Sequence, residues 1–385
     1  MRRQMTGLPA FTVLPVAWGA VGAGGWEVPF PLKRIPGTSP SRFRNGEIEG
    51  RLARWLSRLL NAPSGNFYQA TPGAHRALMQ LARQHPPAAI LAQFGQTGLA
   101  LLPVARKLGA PLAVHFHGAD LASNLKNRWY RRSLLSSLAR FDAMIVVGTR
   151  QRDWLLAQGA PADRVHLIPC GAPVAEFHRT APWPEGPARF ITVCRLVPQK
   201  GVDIVLEAYA KVIADMPAIS LTVVGDGPER DALQARAAAP DLAGRVRFTG
   251  PLSPSGVQAE LQQATTLVQH SRDLGGWYEA FGVSVSEAAA MELPVIASRC
   301  GGLVDQVVDG ATGLIVEQRD IAGLAAAMQR LAEDRQMAMA MGRAGRQHIV
   351  ENFDTAGQVA KLEQLLWSLL PGRDASGAVL AGGHP

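Results

Sequence analysis

The sequence predicts an α/β protein made of two Rossmann-like, doubly wound domains in tandem. Short apolar runs alternate with amphipathic segments along most of its 385 residues, the pattern of parallel sheets covered by helices. The length accommodates two or three domains of about 100–200 residues each. A break falls near the middle, where 180–187 holds Pro182, Pro184, Pro187 and Gly186. That cluster interrupts any regular element, so 181–188 is read as the linker.

The elements follow in order. The first domain, 1–180, opens on an apolar strand at 11–16 and continues with strands at 89–92, 112–116, 143–147 and 165–168, with a helix at 99–108. The second, 189–355, has strands at 189–193, 220–224, 246–248, 266–269, 294–297 and 313–316, with a helix over 202–214. A late helix follows at 356–371. The Gly/Ala/Pro-rich residues 372–385 lack apolar periodicity and are expected to be disordered. Two such domains place a ligand cleft at the carboxyl ends of their strands.

Bulk composition narrows the class. A hydrophobic fraction of 47% and a charged fraction of 18% suit a globular chain with sizeable cores. No apolar run approaches the length of a membrane span. The three cysteines, Cys170, Cys194 and Cys300, lack metal-ligand spacing and cannot all pair, which points to a reducing cytoplasm. Arg2 and Arg3 before an apolar stretch loosely resemble a secretory leader, but Pro9, Pro15 and repeated glycines favour a buried strand. The net charge of +8 is uneven: residues 1–180 carry 22 Lys+Arg against 8 Asp+Glu, and the remainder 17 against 23. Only the first half is therefore suited to an anionic partner, and without a nucleic-acid motif the candidate is an anionic membrane surface.

Four segments carry chemistry. Arg195 and Lys200 lie in the turn after a strand, just before a helix opened by Gly201, a setting that attracts anions. Gly225-Asp226-Gly227-Pro228 reads as strand, tight turn and helix, with Pro228 near the first helical position. Glu279-Ala280-Phe281-Gly282-Val283 leads into a helix bearing Glu287. Free N–H groups at its entry suit a diphosphate, and the two carboxylates stand on the order of 10 Å apart, given a rise of about 1.5 Å per residue. That separation suits different hydroxyl-bearing parts of one extended ligand. Gly301-Gly302 and Asp309-Gly310 mark turns around a short helix. In the first half, His117-Gly118-Ala119-Asp120 ends a strand.

Together, these pieces resemble the large retaining GT-B glycosyltransferase family 4, the group 1 type that builds bacterial polysaccharides and lipopolysaccharides. The resemblance covers about residues 85–370 and is densest from 190 to 320. It implies that Arg195 and Lys200 clamp the diphosphate of a nucleotide-sugar donor, and that Glu287 holds the ribose. It also implies that Glu279, with backbone at Phe281, Gly282 and Val283, holds sugar and phosphate. His117 would meet the donor sugar, while Gly118 and Gly225 would let the backbone approach. The segment after 248–250 would frame the base. The expected reaction retains anomeric configuration through an oxocarbenium-like transition state, with an acceptor that is a glycan or lipid-linked. No Asp-x-Asp motif is present, and neither metal nor cofactor is expected.

Two departures from the family pattern stand out. Residues 11–16 look like the family's second strand, so the usual first strand and its loop are not accounted for. This leaves a competing reading, a catalytically impaired sugar-nucleotide-binding or scaffold protein. The other departure is Glu292, where many relatives carry glycine; a left-handed backbone there would cost about 1 kcal/mol. Basic amphipathic segments at 51–60 and 126–135 could lie on the inner face of a cytoplasmic membrane or pack on the sheet. Donor sugar, nucleotide, acceptor, linkage and oligomeric state depend on loop geometry that the sequence does not specify.

Overall fold

The computed structural model describes residues 72–371, together with 8, 13–14, 16–18, 33–35, 65–68 and 70. The chain forms two compact units. One takes Met1–Val147, Gln151–Ile168 and Val359–Pro385; the other takes Gly148–Arg150 and Pro169–Gln358.

The first unit contains a short parallel pair, β1 (Val16–Trp18) and β2 (Lys33–Ile35). Val13 and Leu14 carry no regular structure, so the strand expected at 11–16 begins only at Val16; positions 11, 12 and 15 lie outside the described residues. A parallel sheet of β3 (Ile90–Gln93), β4 (Leu112–His115), β5 (Ala143–Val146) and β6 (Val165–Leu167) follows in sequential order. Strand periodicity explains its two-sided burial. Leu112, Val114, Met144 and Val146 face a core containing Leu99, Tyr130 and Leu134, drawn from the helices Gly95–Leu108 and Arg128–Leu135. Ala113, Ala143 and Ile145 face the other way, against Val359, Leu362, Leu365 and Leu366 of the helix Thr355–Ser368. The late helix is therefore the cover of the first sheet. The basic helix Arg128–Leu135 buries Tyr130, Ser133 and Leu134, while segment 51–60 and tail 372–385 lie outside the described residues.

The second unit holds a six-stranded parallel sheet in the order β12-β11-β10-β7-β8-β9. The strands are β7 (Arg189–Val193), β8 (Ser220–Val224), β9 (Val246–Gly250), β10 (Thr266–Gln269), β11 (Val295–Ser298) and β12 (Gly313–Val316). This is the doubly wound dinucleotide-fold order, and its topological switch lies between β7 and β10, where the crossovers diverge. The linker expected at 181–188 is instead part of this unit. Trp183 is in its core, and Arg335 donates to the Pro184 carbonyl, because an aromatic between two prolines gains more from burial than from exposure. The helix after β8 starts at Arg230 rather than at Pro228, which sits in the preceding turn. Glu292 has φ 62°, the left-handed backbone that its position in the family pattern implied.

Candidate functional site

The carboxyl ends of β7 and β10 meet at the switch point, so the segments leaving them share one crevice in the second unit. From β7 the chain passes through Arg195 into the short helix Pro198–Lys200 and then into the helix Val202–Asp215. From β10 it passes through Ser271 and Arg272 to Glu279 and the helix Val283–Ala290. Lys200 and Glu279 form an ion pair with both side chains largely shielded. Ser271 Oγ donates to the same carboxylate at 3.4 Å, and Gln269 Nε2 donates to Ser271 Oγ at 2.9 Å. The Lys200 ammonium also lies 5.5 Å from the Trp277 ring centre, within cation–π range.

Arg195 is exposed, and no side-chain partner is found for it among the described residues. It is an available cation beside a neutralised one. Gly225, expected to face the ligand, has a packing reason of its own. Its φ is 133°, and a Cβ there would overlap the carbonyl of Cys194. Leu196 N–H bonds Asp226 O at 2.9 Å, so the Gly225–Gly227 turn is a backbone brace for the Arg195 turn. Burial pushes the intervening Cys194 thiol up to about 11, leaving it unreactive at neutral pH.

Gly282 caps its helix with φ 88°, a conformation open to glycine at little cost. Phe281 is buried against Phe353, so only its backbone is available to a ligand, whereas Val283 is exposed. Glu287 is the fifth residue of the helix and half-buried. The entry loop is held from behind: Gly302 N–H donates to Glu279 O at 2.8 Å, and the buried Gln306 amide donates to Phe281 O. Gly148–Arg150, grouped with this unit, brace the same loop. Thr149 donates from N–H and hydroxyl to Asp305 at 2.8 and 2.6 Å. Arg150 pairs with Asp273 at 2.8 Å and lies 4.1 Å over the Tyr278 ring.

Sequence reasoning missed several of these residues. Arg272 donates to Pro198 O at 2.7 Å and to Asp203 at 2.9 Å, and so holds the turn that carries Lys200. Its signal was present, since it follows β10 as Arg195 follows β7. Gln306 and Asp305 carried no such signal. A separate cavity of about 450 Å³ sits at the amino ends of β7, β8 and β9, away from this crevice.

His117 and Gly118 belong to the first unit, just past the end of β4. The His117 ring stacks on His115 at 4.6 Å, and its Nε2 lies 2.8 Å from Gln93 Oε1. Burial lowers the His117 pKa to about 4, so the ring is neutral at physiological pH. Its backbone N–H donates to the buried Asp120, whose carboxyl burial pushes up to about 6. Gly118 opens the turn after His117.

Two α/β units with parallel sheets, one with its polar crevice at the switch point, are the architecture of the GT-B fold. The model of "Glycosyl transferases group 1" matches residues 174–348, and that of the "Glycosyl transferase 4-like domain" matches 16–171. The chain is 30% identical over 285 residues to a GDP-mannose-dependent alpha-(1-6)-phosphatidylinositol monomannoside mannosyltransferase of Mycolicibacterium smegmatis, covering 70% of this chain and 73% of that one. It is 24% identical over 353 residues to a putative colanic acid biosynthesis glycosyltransferase, WcaL, of Salmonella typhimurium, covering 86% of each. Among solved structures, Anabaena HepE in complex with UDP superposes with a TM-score of 0.69 at 19% identity, covering 88% of this chain and 86% of that one. The chain belongs to the group 1, family 4 glycosyltransferases, enzymes that take sugars from nucleotide-sugar donors.

Proposed function

We propose that this enzyme transfers a hexosyl unit from a nucleotide sugar to a glycan or lipid-linked acceptor, with retention, in envelope or exopolysaccharide synthesis. The observation that carries the reading is the set of cations and helix N-terminus at the switch point of β7 and β10. The donor diphosphate competes with Glu279 for Lys200 and takes Arg195 as a second cation. The N–H groups at the entry of the helix Val283–Ala290 receive a phosphate oxygen. Glu287 holds the ribose, and Glu279, released from Lys200, accepts hydrogen bonds from the sugar hydroxyls. Charge building on the departing phosphate is met by preorganised cations, which is the main source of rate in such chemistry. The departing oxygen then takes the acceptor hydroxyl proton. No group of three or more potential metal ligands occurs among the described residues, and the reading uses no metal.

The name of the Mycolicibacterium relative puts GDP-mannose and a phosphatidylinositol-linked acceptor first among those to test. No helix among the described residues is long and apolar enough to cross a membrane. Peripheral contact through basic surface is a separate part of the proposal, and a lack of salt-sensitive co-sedimentation with anionic liposomes would overturn it. The central experiment measures binding and hydrolysis of UDP-, GDP- and ADP-sugars by the wild type, Lys200→Ala and Glu287→Ala. Hydrolysis of one donor, lost in both variants, is expected and identifies the nucleotide. Tight binding without turnover, even with membrane extract as acceptor, would favour the scaffold reading. No binding to any donor would overturn the reading.

A further inference from the structure

Gln93 and Phe94 surround the His117 imidazole, and none of the roles above uses them. Gln93 ends β3 and pairs in register with His115 at the end of β4, which brings both residues beside the strand exit that carries His117. Phe94 has φ 72° and ψ 140° and is 42% exposed, with its ring 4.7 Å from the imidazole. His115, fully buried, stacks on the imidazole at an interplanar angle of 29°. Nε2 lies within hydrogen-bond distance of Gln93 Oε1. The backbone is tied as well, by the Asp120 carboxylate on its N–H and by Gln151 Nε2, which donates to its carbonyl at 3.2 Å.

An amide oxygen only accepts, so Nε2 carries the proton; a neutral imidazole has one N–H, so Nδ1 is left with a lone pair. No hydrogen bond to Nδ1 is found among the described residues. Meanwhile the Gln93 amide nitrogen is buried without a partner.

We propose that Gln93 is a positioning residue, holding His117 as its Nε2–H tautomer so that Nδ1 is offered as an acceptor to a hydroxyl of the sugar substrate. This rests on the assignment of His117 to the donor sugar made above. The other titratable groups against the ring are His115, stacked on it, and Asp120, on its backbone.

The test uses the full chain with ¹⁵N-labelled histidine, long-range ¹H–¹⁵N correlation spectra and His117→Gln for assignment. In the wild type, Nδ1 is expected in the unprotonated range and Nε2 in the protonated range. The reverse tautomer, which an amide turned the other way would impose, overturns the proposal. Gln93→Met is expected to give a tautomer mixture and to lower kcat for donor hydrolysis roughly tenfold, the size of one lost hydrogen bond, with KM nearly unchanged. Gln93→Glu is expected to raise the pH at which the ring titrates by about one unit or more. If neither variant moves the ring signals, Gln93 does not position His117. The spectra need no sugar nucleotide, so their failure sinks this inference alone, whereas absence of donor binding sinks the glycosyl-transfer reading and leaves the tautomer result standing.

Discussion

The carboxyl ends of the two sheets solve different problems. In the second unit, charge faces charge: Lys200 pairs with Glu279, Arg272 with Asp203, and Arg150 with Asp273. In the first unit, the strand ends carry neutral rings, His115, His117 and Phe94, with one amide at the His117 ring nitrogen. A diphosphate needs cations that are stabilised while it is absent, and the carboxylates do this. A sugar offers hydroxyls and C–H faces, which suit a neutral imidazole held in one orientation.

The largest effect that would sharpen this contrast lies in the ion pair. Lys200→Met and Glu279→Gln are each expected to lower donor turnover by roughly 10²–10³-fold, as removal of preorganised electrostatic groups does. Because the two act as a unit, the double variant should be little worse than the poorer single one. Fully multiplicative losses in steady-state kinetics would mean that they work independently.

Next in size is the backbone brace behind Arg195. Gly225→Ala forces a side chain into the Cys194 carbonyl at φ 133°, and should destabilise the chain by on the order of 3 kcal/mol. An unchanged urea midpoint would show that the turn is not the brace described here.

Buried histidine supplies a pH-dependent effect. His270 accepts the Arg319 N–H through Nε2, and burial lowers its pKa to about 4 from 6.5. The unfolded chain therefore takes up the proton first. Its contribution is full above pH 6.5 and is lost as pH falls toward about 4, by up to about 1.4 kcal/mol per pH unit. His117, also lowered to about 4, acts in the same direction. Asp120, raised to about 6 from 3.8 by burial, acts oppositely: its contribution is full below 3.8 and is lost as pH rises through 6. His115 and His166, also lowered by burial, add to His270 and His117. Together they outweigh the raised carboxyls of Asp120 and Glu229, predicting a net fall in the urea midpoint between pH 6.5 and 4. A His270→Gln variant should show a shallower fall; an identical slope would remove His270 from the explanation.

The smallest effect is at Glu292. Its left-handed φ of 62° predicts that Glu292→Gly raises stability by up to about 1 kcal/mol, readable as a thermal shift. A decrease would mean that the Glu292 side chain, which lies near Arg179, stabilises the fold by more than its backbone conformation costs.

The alternation of apolar strands with amphipathic helices was enough to predict the α/β fold with parallel sheets, and the strands at 112–116, 189–193 and 313–316 differ little from those observed. Local periodicity suffices there because each strand is buried on both faces. Lys200, Glu279 and Gly282 could also be singled out in sequence, since their residue types suit the chemistry at a strand end or helix entry. Tertiary structure alone decided the rest. Residues 181–188 look like a linker because proline breaks elements locally, yet burial of Trp183 ties them to the second core. The late helix carries no mark of its destination, but its apolar stripe covers the first sheet. Gln306, Asp305, Thr149 and Gln93 act through contacts across 24 to 156 positions of chain. No local pattern records such a contact, because its energy arises only when folding brings the two partners together.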